Sequence, residues 1–486
     1  MTDSYGTQTG DAWRIRIDGD GAVLEQQVYG NALPGGAADI AFDQDGSMVV
    51  VGAHTLDVFT DRDAWIHKVT PDGALDWAWS FDADPGLHSF FAVTPVSTGG
   101  YVAVGSTAVG TGPPIYAWVV RMDQDGDVVW QNRYHGGVAE FATCVVETPE
   151  DGGFAVAGWT TSSGAGSTDV WLLKLSSTGA IQWQKTYGGF DQEEATGLIQ
   201  TADGGYAISA FSDTFPGSSH GPWVLRLDSS GNLLWHAVMG DEWGDFQDVV
   251  QCADGNLVAT GRISGPSSND LWMVKLRDSD GTVLWQKAYE GTQGDWGSRT
   301  IELGNGDLLV SGVWAWGFAD EDLWIQRTSG TGDISSCGLV RETEVAARSP
   351  LITVAPAITL PSTPAPVPEA VAFVTNGSTL TIDEKCRATA SSSDGDPIDL
   401  DYAMTVHPNP VREAATIAFS LTAPEGITIA VHDVRGRLVA TIADGFFGAG
   451  HHEIQWDRPR TVPAGTYWIS ARSERGRAAT RAVLLD

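Results

Sequence analysis

Asp169-Val-Trp-Leu-Leu-Lys-Leu175 is followed by Ser-Ser-Thr-Gly179 and by Ile181-Gln-Trp-Gln-Lys-Thr-Tyr-Gly-Gly189. Ala195-Thr-Gly-Leu-Ile-Gln200 comes next, then the turn Asp203-Gly-Gly and Tyr206-Ala-Ile-Ser-Ala210. These are four short segments of strand composition, parted by turns that contain Gly and Asp. The Trp face of the first segment continues through Leu173 and Leu175, and its other face carries Val170 and Leu172. A strand that is apolar on both faces has to be covered on both sides.

The same text recurs. Trp13, Trp65, Trp118, Trp171, Trp223, Trp272 and Trp324 follow one another at spacings of 49 to 53 residues. Trp77, Trp130, Trp183, Trp235 and Trp285 form a second series, with Glu25 in the slot of the first repeat. Asp-Gly turns recur at Asp72-Gly73, Asp125-Gly126, Asp151-Gly152, Asp254-Gly255 and Asp280-Gly281 and supply the positive φ that tight hairpins need. Four antiparallel strands in about 50 residues, repeated, is the arithmetic of a β-propeller blade. The expected fold is therefore all-β, a seven-bladed propeller over residues 1–340. Its seventh blade lacks the outer half, and a hairpin at 370–383 around Asn376-Gly377 offers the missing piece.

The pattern Asp-x-Trp-x-x-Lys-Leu, Gly-x-x-x-Trp-x-x-x-Tyr-Gly-Gly, Asp-Gly-Gly-Tyr resembles the propeller repeats of secreted bacterial surface proteins. Its Gly179-to-Trp183 and Gly126-to-Trp130 portions also resemble the docking motif of quinoprotein propellers. That second resemblance implies a quinone and a metal ion on the ring axis as one alternative.

Composition narrows the function classes. The chain has 486 residues, 62 acidic against 28 basic, and a formal net charge of −34. Without a stripe of Lys or Arg, a nucleic-acid or anionic-membrane partner is disfavoured. No apolar run approaches the roughly 18 residues of a membrane span. Met1-Thr-Asp-Ser-Tyr5 has no basic n-region or apolar core of a signal peptide, leaving a cytosolic protein or a chain numbered after loss of a leader. The excess acid lies in the first 400 residues, since 401–486 holds nine acidic and nine basic residues. That step marks a domain boundary. Residues 341–400 read as a Pro/Ser-rich linker that includes the 370–383 hairpin.

From residue 401 about six strands read as a small immunoglobulin-like sandwich. Asn409-Pro410, Asp433-Val-Arg-Gly436-Arg437, Ala449-Gly450-His451, Trp456-Asp457, Gly465-Thr-Tyr467 and Arg481-Ala-Val-Leu-Leu485 resemble the C-terminal sorting domain of the type IX secretion pathway. They also resemble the immunoglobulin-like domain of the flagellar hook-capping protein. The resemblance implies a partner in the secretion machinery and a secreted or outer-surface location. One departure is the acidic end at Asp486, where such domains often finish on a basic residue.

Two charged series are the candidate ligand-binding residues. A base stands three residues after each first-series Trp: Arg16, Lys68, Arg121, Lys174, Arg226, Lys275 and Arg327. Glu140, Glu193, Asp245 and Asp295 each open a strand, and Asp11, Asp63, Asp169, Asp270 and Asp322 precede the Trp by two. Repeated around a ring, each series makes a charged ring for an extracellular ligand, glycan or protein. The competing reading pairs each base with a carboxylate and lets the Asp side chains accept strand-end N–H groups.

Asp18-Gly-Asp-Gly, Asp123-Gln-Asp-Gly-Asp127 and Asp278-Ser-Asp-Gly read as hairpin turns rather than calcium loops, so no metal or other cofactor is expected. Trp243, Trp296, Trp314 and Trp316 offer stacking surfaces. No nucleophile elbow, zincin motif, Cys-x-x-Cys or phosphate loop occurs, so no catalytic residue is assigned. The expected function is a non-catalytic binding or structural protein, with a carbohydrate-active propeller enzyme or a quinoprotein-like dehydrogenase as alternatives. Cys337 and Cys386, joined at the closure of the seventh blade, are expected to form a disulfide, and Cys144 and Cys252 to be free and buried.

Overall fold

The computed structural model describes residues 12–377 and 405–484 except for short connecting segments, among them 19–22, 215–219, 240–242, 316–320 and 335–339. The chain divides into two compact units, 1–388 and 389–486. Every regular element in the described residues is a β-strand.

In the first unit five four-stranded modules follow one another, over 35–82, 86–135, 140–188, 193–239 and 244–289. The third is representative: Glu140–Thr148, Gly153–Thr160, Asp169–Leu175 and Ile181–Gly188 pair antiparallel in that order. Here the first strand of a module is called inner and the fourth outer. Among the described residues, two incomplete modules flank the five. Ala12–Ile17 and Val23–Gly30 correspond to a third and fourth strand, and Asp295–Glu302, Leu308–Ala315 and Glu321–Thr328 to a first, second and third. The hydrophobic core is a row of seams between consecutive modules. Trp171, Leu173 and Leu175 join Val104, Val119 and Tyr134 of the second module, while Val170 and Leu172 join Ile208, Trp223 and Leu225 of the fourth. All seven residues of Asp169–Leu175 are buried, as a strand apolar on both faces demands.

The Gly-x-x-x-Trp spacing has a physical basis in these seams. The second-series Trp of one module lies on the third turn of the next: Trp130 Nε1 donates to Ser177 O at 3.0 Å, and Trp77 Nε1 to Gln124 O at 3.1 Å. Gly179 lies in that turn at φ +78°, and a Cβ there would stand 2.9 Å from the Trp130 ring, so only glycine fits. Tyr134 and Tyr187, from the Tyr-Gly-Gly text and its equivalent, donate to Gly179 O and Gly231 O at 2.6 and 2.7 Å.

All six inner strands among the described residues slip register at the same point, between Ala37/Asp39, Phe90/Ala92, Ala142/Cys144, Ala195/Gly197, Phe246/Asp248 and Gly297/Arg299. Such bulges redirect side chains and bend the strand. Thr143 and Thr196, the extra residues of two of them, donate to Ala195 O and Phe246 O of the following modules. Arg299 of the last inner strand reaches Asp248 of the fifth module at 3.3 Å and Asp39 of the first complete module at 3.1 Å.

The stretch read as a linker has a different fate. Val340–Glu342, Ala347–Arg348, Thr353–Pro356, Leu360–Ser362, Val367–Ala370 and Val374–Gly377 pair antiparallel with the outer strands at 283–289, 233–239, 181–188, 128–135, 75–82 and 23–30. The tail thus runs backwards past the modules as a belt, adding one strand to each sheet. Its strands begin six or seven residues apart, and seven extended residues span at most about 25 Å. The hairpin expected at 370–383 is not formed as read: 367–370 and 374–377 lie on two different sheets, Asn376-Gly377 is inside a strand opposite Val28 and Gln27, and 378–383 fall outside the described residues. A free sheet edge offers unpaired N–H and C=O groups to any extended segment that reaches it, and this outweighed the local turn signal.

In the second unit, Thr405–His407, Ala414–Leu421 and Gly450–Asp457 form one antiparallel sheet, and Leu438–Phe447, Glu425–Asp433, Gly465–Arg472 and Arg477–Leu484 another. They share a core that includes Ile417, Phe419, Ile429, Val431, Trp456 and Ile469.

Candidate functional site

The structure sends the two charged series to opposite ends of the sheets. The bases lie where the first hairpin of each module turns. Lys174 Nζ meets Asp151 at 2.7 Å, Lys275 meets Asp254 at 2.8 Å, and Arg327 meets Asp307 at 2.8 Å. Arg226, 1% exposed, is held by Asp203 and by Asp278 of the next module, each at 2.7 Å. Lys68 lies 4.0 Å from Asp76. In the second module the turn carries Thr98 in place of Asp, and Arg121 donates to the Gly99 and Met122 carbonyls instead. Arg16 stands opposite Glu25 in the N-terminal hairpin. Arg121, Lys174, Arg226, Lys275 and Arg327 therefore tie a third strand to its own first turn, while Lys68 and Arg16 face the fourth strand. Burial alone pushes Asp203 up, but Thr201, the Gly205 amide and Arg226 outweigh it and bring the carboxyl down to about 2.

At the other end the inner and third strands begin. Glu140 accepts from Thr160 Oγ1 at 2.9 Å; Glu193 accepts from Ser212 and Thr214 and from the Gly189 amide. Asp169 caps the Ala165 and Gly166 amides at 3.1 Å. Burial raises both Glu193 and Asp169 against these bonds. Glu140, Glu193 and Asp295 share one register position, opposite Thr160, Ser212 and Trp314. Asp245 does not: it lies one residue further along its strand, opposite Arg262, and so projects from the other face. The regular spacing concealed that one-residue offset.

The row to which Asp245 belongs is where the modules differ from one another. Its cross-strand pairs are Phe141 with Trp159, Glu194 with Phe211, and Asp245 with Arg262. Phe141 and Trp159 stack with centroids 4.0 Å apart, and Phe91 lies 6.4 Å from Phe141. His220 is layered between Phe211 at 3.9 Å and Trp243 at 5.4 Å, and Arg262 covers Trp243 at 4.7 Å. Polar edges bind the stack together. His220 Nδ1 is 3.0 Å from Asp213 and its Nε2 is 3.8 Å from Asp245; Arg262 donates twice to Asp245 Oδ2, at 2.8 and 2.7 Å. Burial, then Asp213, raises the Glu194 carboxyl. These groups form a partly exposed row of aromatic faces and paired charge, here called the mouth, a surface suited to stacking and hydrogen bonding.

Of this mouth, sequence reading picked out Asp245 and Trp243. It missed Phe141, Trp159, Phe211, Asp213, His220 and Arg262, and the one available signal was residue variability at a position fixed by the repeat. Trp316 and the side chains of Trp296 and Trp314 are outside the described residues, as are Asp11, Cys337 and Cys386. Cys144 and Cys252 are free and buried, and burial pushes each thiol up to about 11. Among the described residues no His/Cys/Asp/Glu group is arranged to hold a metal ion. Asp123 instead caps the Asp125 and Asp127 amides, as in an Asx turn.

No curated protein matches the chain. Among solved structures, Sqt1 from Chaetomium thermophilum bound to the N-terminus of ribosomal protein L10 is similar at 10% identity and TM-score 0.31, over 57% of this chain and 94% of that one. A mannose phosphorylase from Leishmania mexicana, MPT-4, is similar at 9% identity and TM-score 0.28, over 60% and 83%. Residues 405–485 match the family described as the secretion system C-terminal sorting domain, and a protein with that domain is secreted or held at the outer cell surface.

Proposed function

We propose that residues 12–328 are the blades of a seven-position β-propeller: five complete, the first without its inner pair and the last without its outer strand. Six equivalent bulged inner strands support this reading, as does the Arg299 bridge between the last of them and Asp39 on the first. On this scaffold the protein is a secreted, non-catalytic binding protein for an extracellular ligand, glycan or protein, exported through its C-terminal domain.

The observation that carries the reading is the mouth, where Phe141/Trp159, Glu194/Phe211 and Asp245/Arg262 stand in one row beside His220 and Trp243. Five of the repeated bases are committed to carboxylates at the opposite end, so recognition falls to the row that varies. The test is to screen the full chain on a glycan array and against extracellular proteins, beside Trp243→Ala and Phe141→Ala. A ligand whose binding drops about threefold to tenfold in both variants supports the mouth, since an aromatic stack contributes roughly 0.5–1.5 kcal/mol beyond the area it buries. Ligand binding unchanged in both places recognition elsewhere.

A further inference from the structure

Among the described residues six apolar seams join consecutive modules, from Tyr29, Val50 and Trp65 at one end of the row to Met273, Tyr289 and Val310 at the other. No apolar cluster of described residues joins the last module back to the first. Two positions of the repeat show the consequence. In the five complete modules the residue after the first-series Trp faces the following module, and Ile66, Val119, Leu172, Val224 and Met273 are all 0% exposed. Ile325 holds that position on the last module and is 38% exposed.

The opposite wall behaves alike. One residue beyond the register slip, the inner strands of the second to fifth modules carry Val93, Val145, Leu198 and Val249, which face the preceding module and are at most 7% exposed. Ile40 holds that position on the first complete module and is 45% exposed. Ile40 faces back, and Ile325 forward, to the blade built on Ala12–Ile17 and Val23–Gly30, which has no inner pair among the described residues. What spans this gap is polar. Half-exposed Arg299 reaches Asp39 at 3.1 Å and Asp248 at 3.3 Å. The second oxygen of each carboxylate holds a neighbouring inner strand: Asp39 accepts from the Val93 amide at 2.9 Å, and Asp248 from the Thr300 amide at 2.7 Å. Arg299 is thus the closing link of the inner border at the place where apolar packing stops. Salt screens an exposed ion pair, whereas burial of apolar surface is not an electrostatic attraction.

We propose that the ring is clasped rather than sealed: release of Arg299 from Asp39 parts the last module from the first, and ionic strength sets the balance between closed and open rings. The proposal rests on the reading of 12–328 as blades around one ring. At the six apolar seams an opening has to bring fully buried side chains into water. At the clasp Ile40 and Ile325 already meet water, so opening there adds little apolar exposure and breaks chiefly the ion pairs of one side chain.

The opening is read as amide hydrogen exchange of the full chain, at low salt and at about 1 M sodium chloride, where the screening length shrinks to about 3 Å. Exchange across 295–302 and 35–42 should rise about threefold or more with salt, while 140–148 and 193–200 stay unchanged. Arg299→Met should reach the high-salt rates at low salt and lose the salt response. Thermal melting of two further variants tests the walls: Leu172→Ala should lower the midpoint by about 4 °C or more, and Ile325→Ala by less than half as much. The wild-type salt series needs no variant, so it carries the test if Arg299→Met does not fold. No salt response at 295–302 and 35–42, or one shared by all four strands, overturns the clasp and leaves the ring standing. Equal falls in the midpoint for Leu172→Ala and Ile325→Ala also overturn it, because that wall would then be closed by packing. If Arg299→Met speeds exchange at 295–302 and not at 35–42, the two strands are not neighbours and the ring itself is wrong.

Discussion

The sheets of the modules have two borders, finished in different ways. At the inner border each strand carries a bulge, and named side chains cross to the next module: Thr143 to Ala195 O, Thr196 to Phe246 O, Arg299 to Asp248 and Asp39. At the outer border the chain's own tail supplies one extra strand per sheet, joined through the backbone. The inner border depends on which side chain stands where, so its residues repeat with the period of the modules. The outer border depends on an edge being available, so the belt shares no motif with the modules and needs only extended segments at the right intervals.

The largest expected effect tests that contrast from the module side. Trp171→Ala empties a fully buried position between the second and third modules, and truncations of that kind cost about 3–5 kcal/mol. Chemical denaturation should show a loss of that size with the whole first unit unfolding together. A loss below 1 kcal/mol would mean that the seams are not what holds the modules.

A smaller effect probes the belt. Its prolines in described strands, Pro356, Pro361 and Pro368, oppose Lys185, Tyr134 and Phe81. These partners are the second or fourth residue after the outer-strand Trp, so the three prolines share one parity of the ladder. An edge strand accepts Pro only where its N–H is not needed by the sheet. Ala355→Pro shifts to the other parity, opposite Thr186. It should speed amide exchange across 184–188 and cost about 1–2 kcal/mol locally, whereas Pro356→Ala should change little. Equal exchange in the two variants would show that this belt strand is not bonded as described.

The smallest effect belongs to the inner border. Burial pushes Asp248 up to about 6, against the opposing pull of Arg299 and the Thr300 amide. Its folded value lies above the unfolded one near 4, so its contribution to stability is complete below about pH 4 and is lost as pH rises through about 6. Asp248→Asn imitates the protonated form. Wild-type stability relative to this variant should therefore fall by about 1–3 kcal/mol between pH 4 and 7. A flat difference across that range would remove Asp248 as the titrating group.

Much of the module was legible because each local signal agreed with the packing. The Trp series, the double-faced strand at Asp169–Leu175 and the Asp-Gly turns each have a counterpart in the seams. The candidate site was less legible. The repeated bases read equally well as a binding ring or as internal pairs, and only coordinates place Lys174 at Asp151 and Arg226 between Asp203 and Asp278. Asp245 kept the spacing of Glu140 and Glu193 but not their face, because one residue of register reverses a strand's side chains.

The sequence by itself determined the strands, the period, the turns and the export domain, since each rests on local pattern: alternation, a glycine at positive φ, a motif within 80 residues. Tertiary structure decided the belt and the mouth. Each of these joins residues distant in sequence through sheet edges and register, and a single chain of letters carries no record of which edge an extended segment will meet. The tail at 340–377 reads as a linker until the outer strands it pairs with stand beside it.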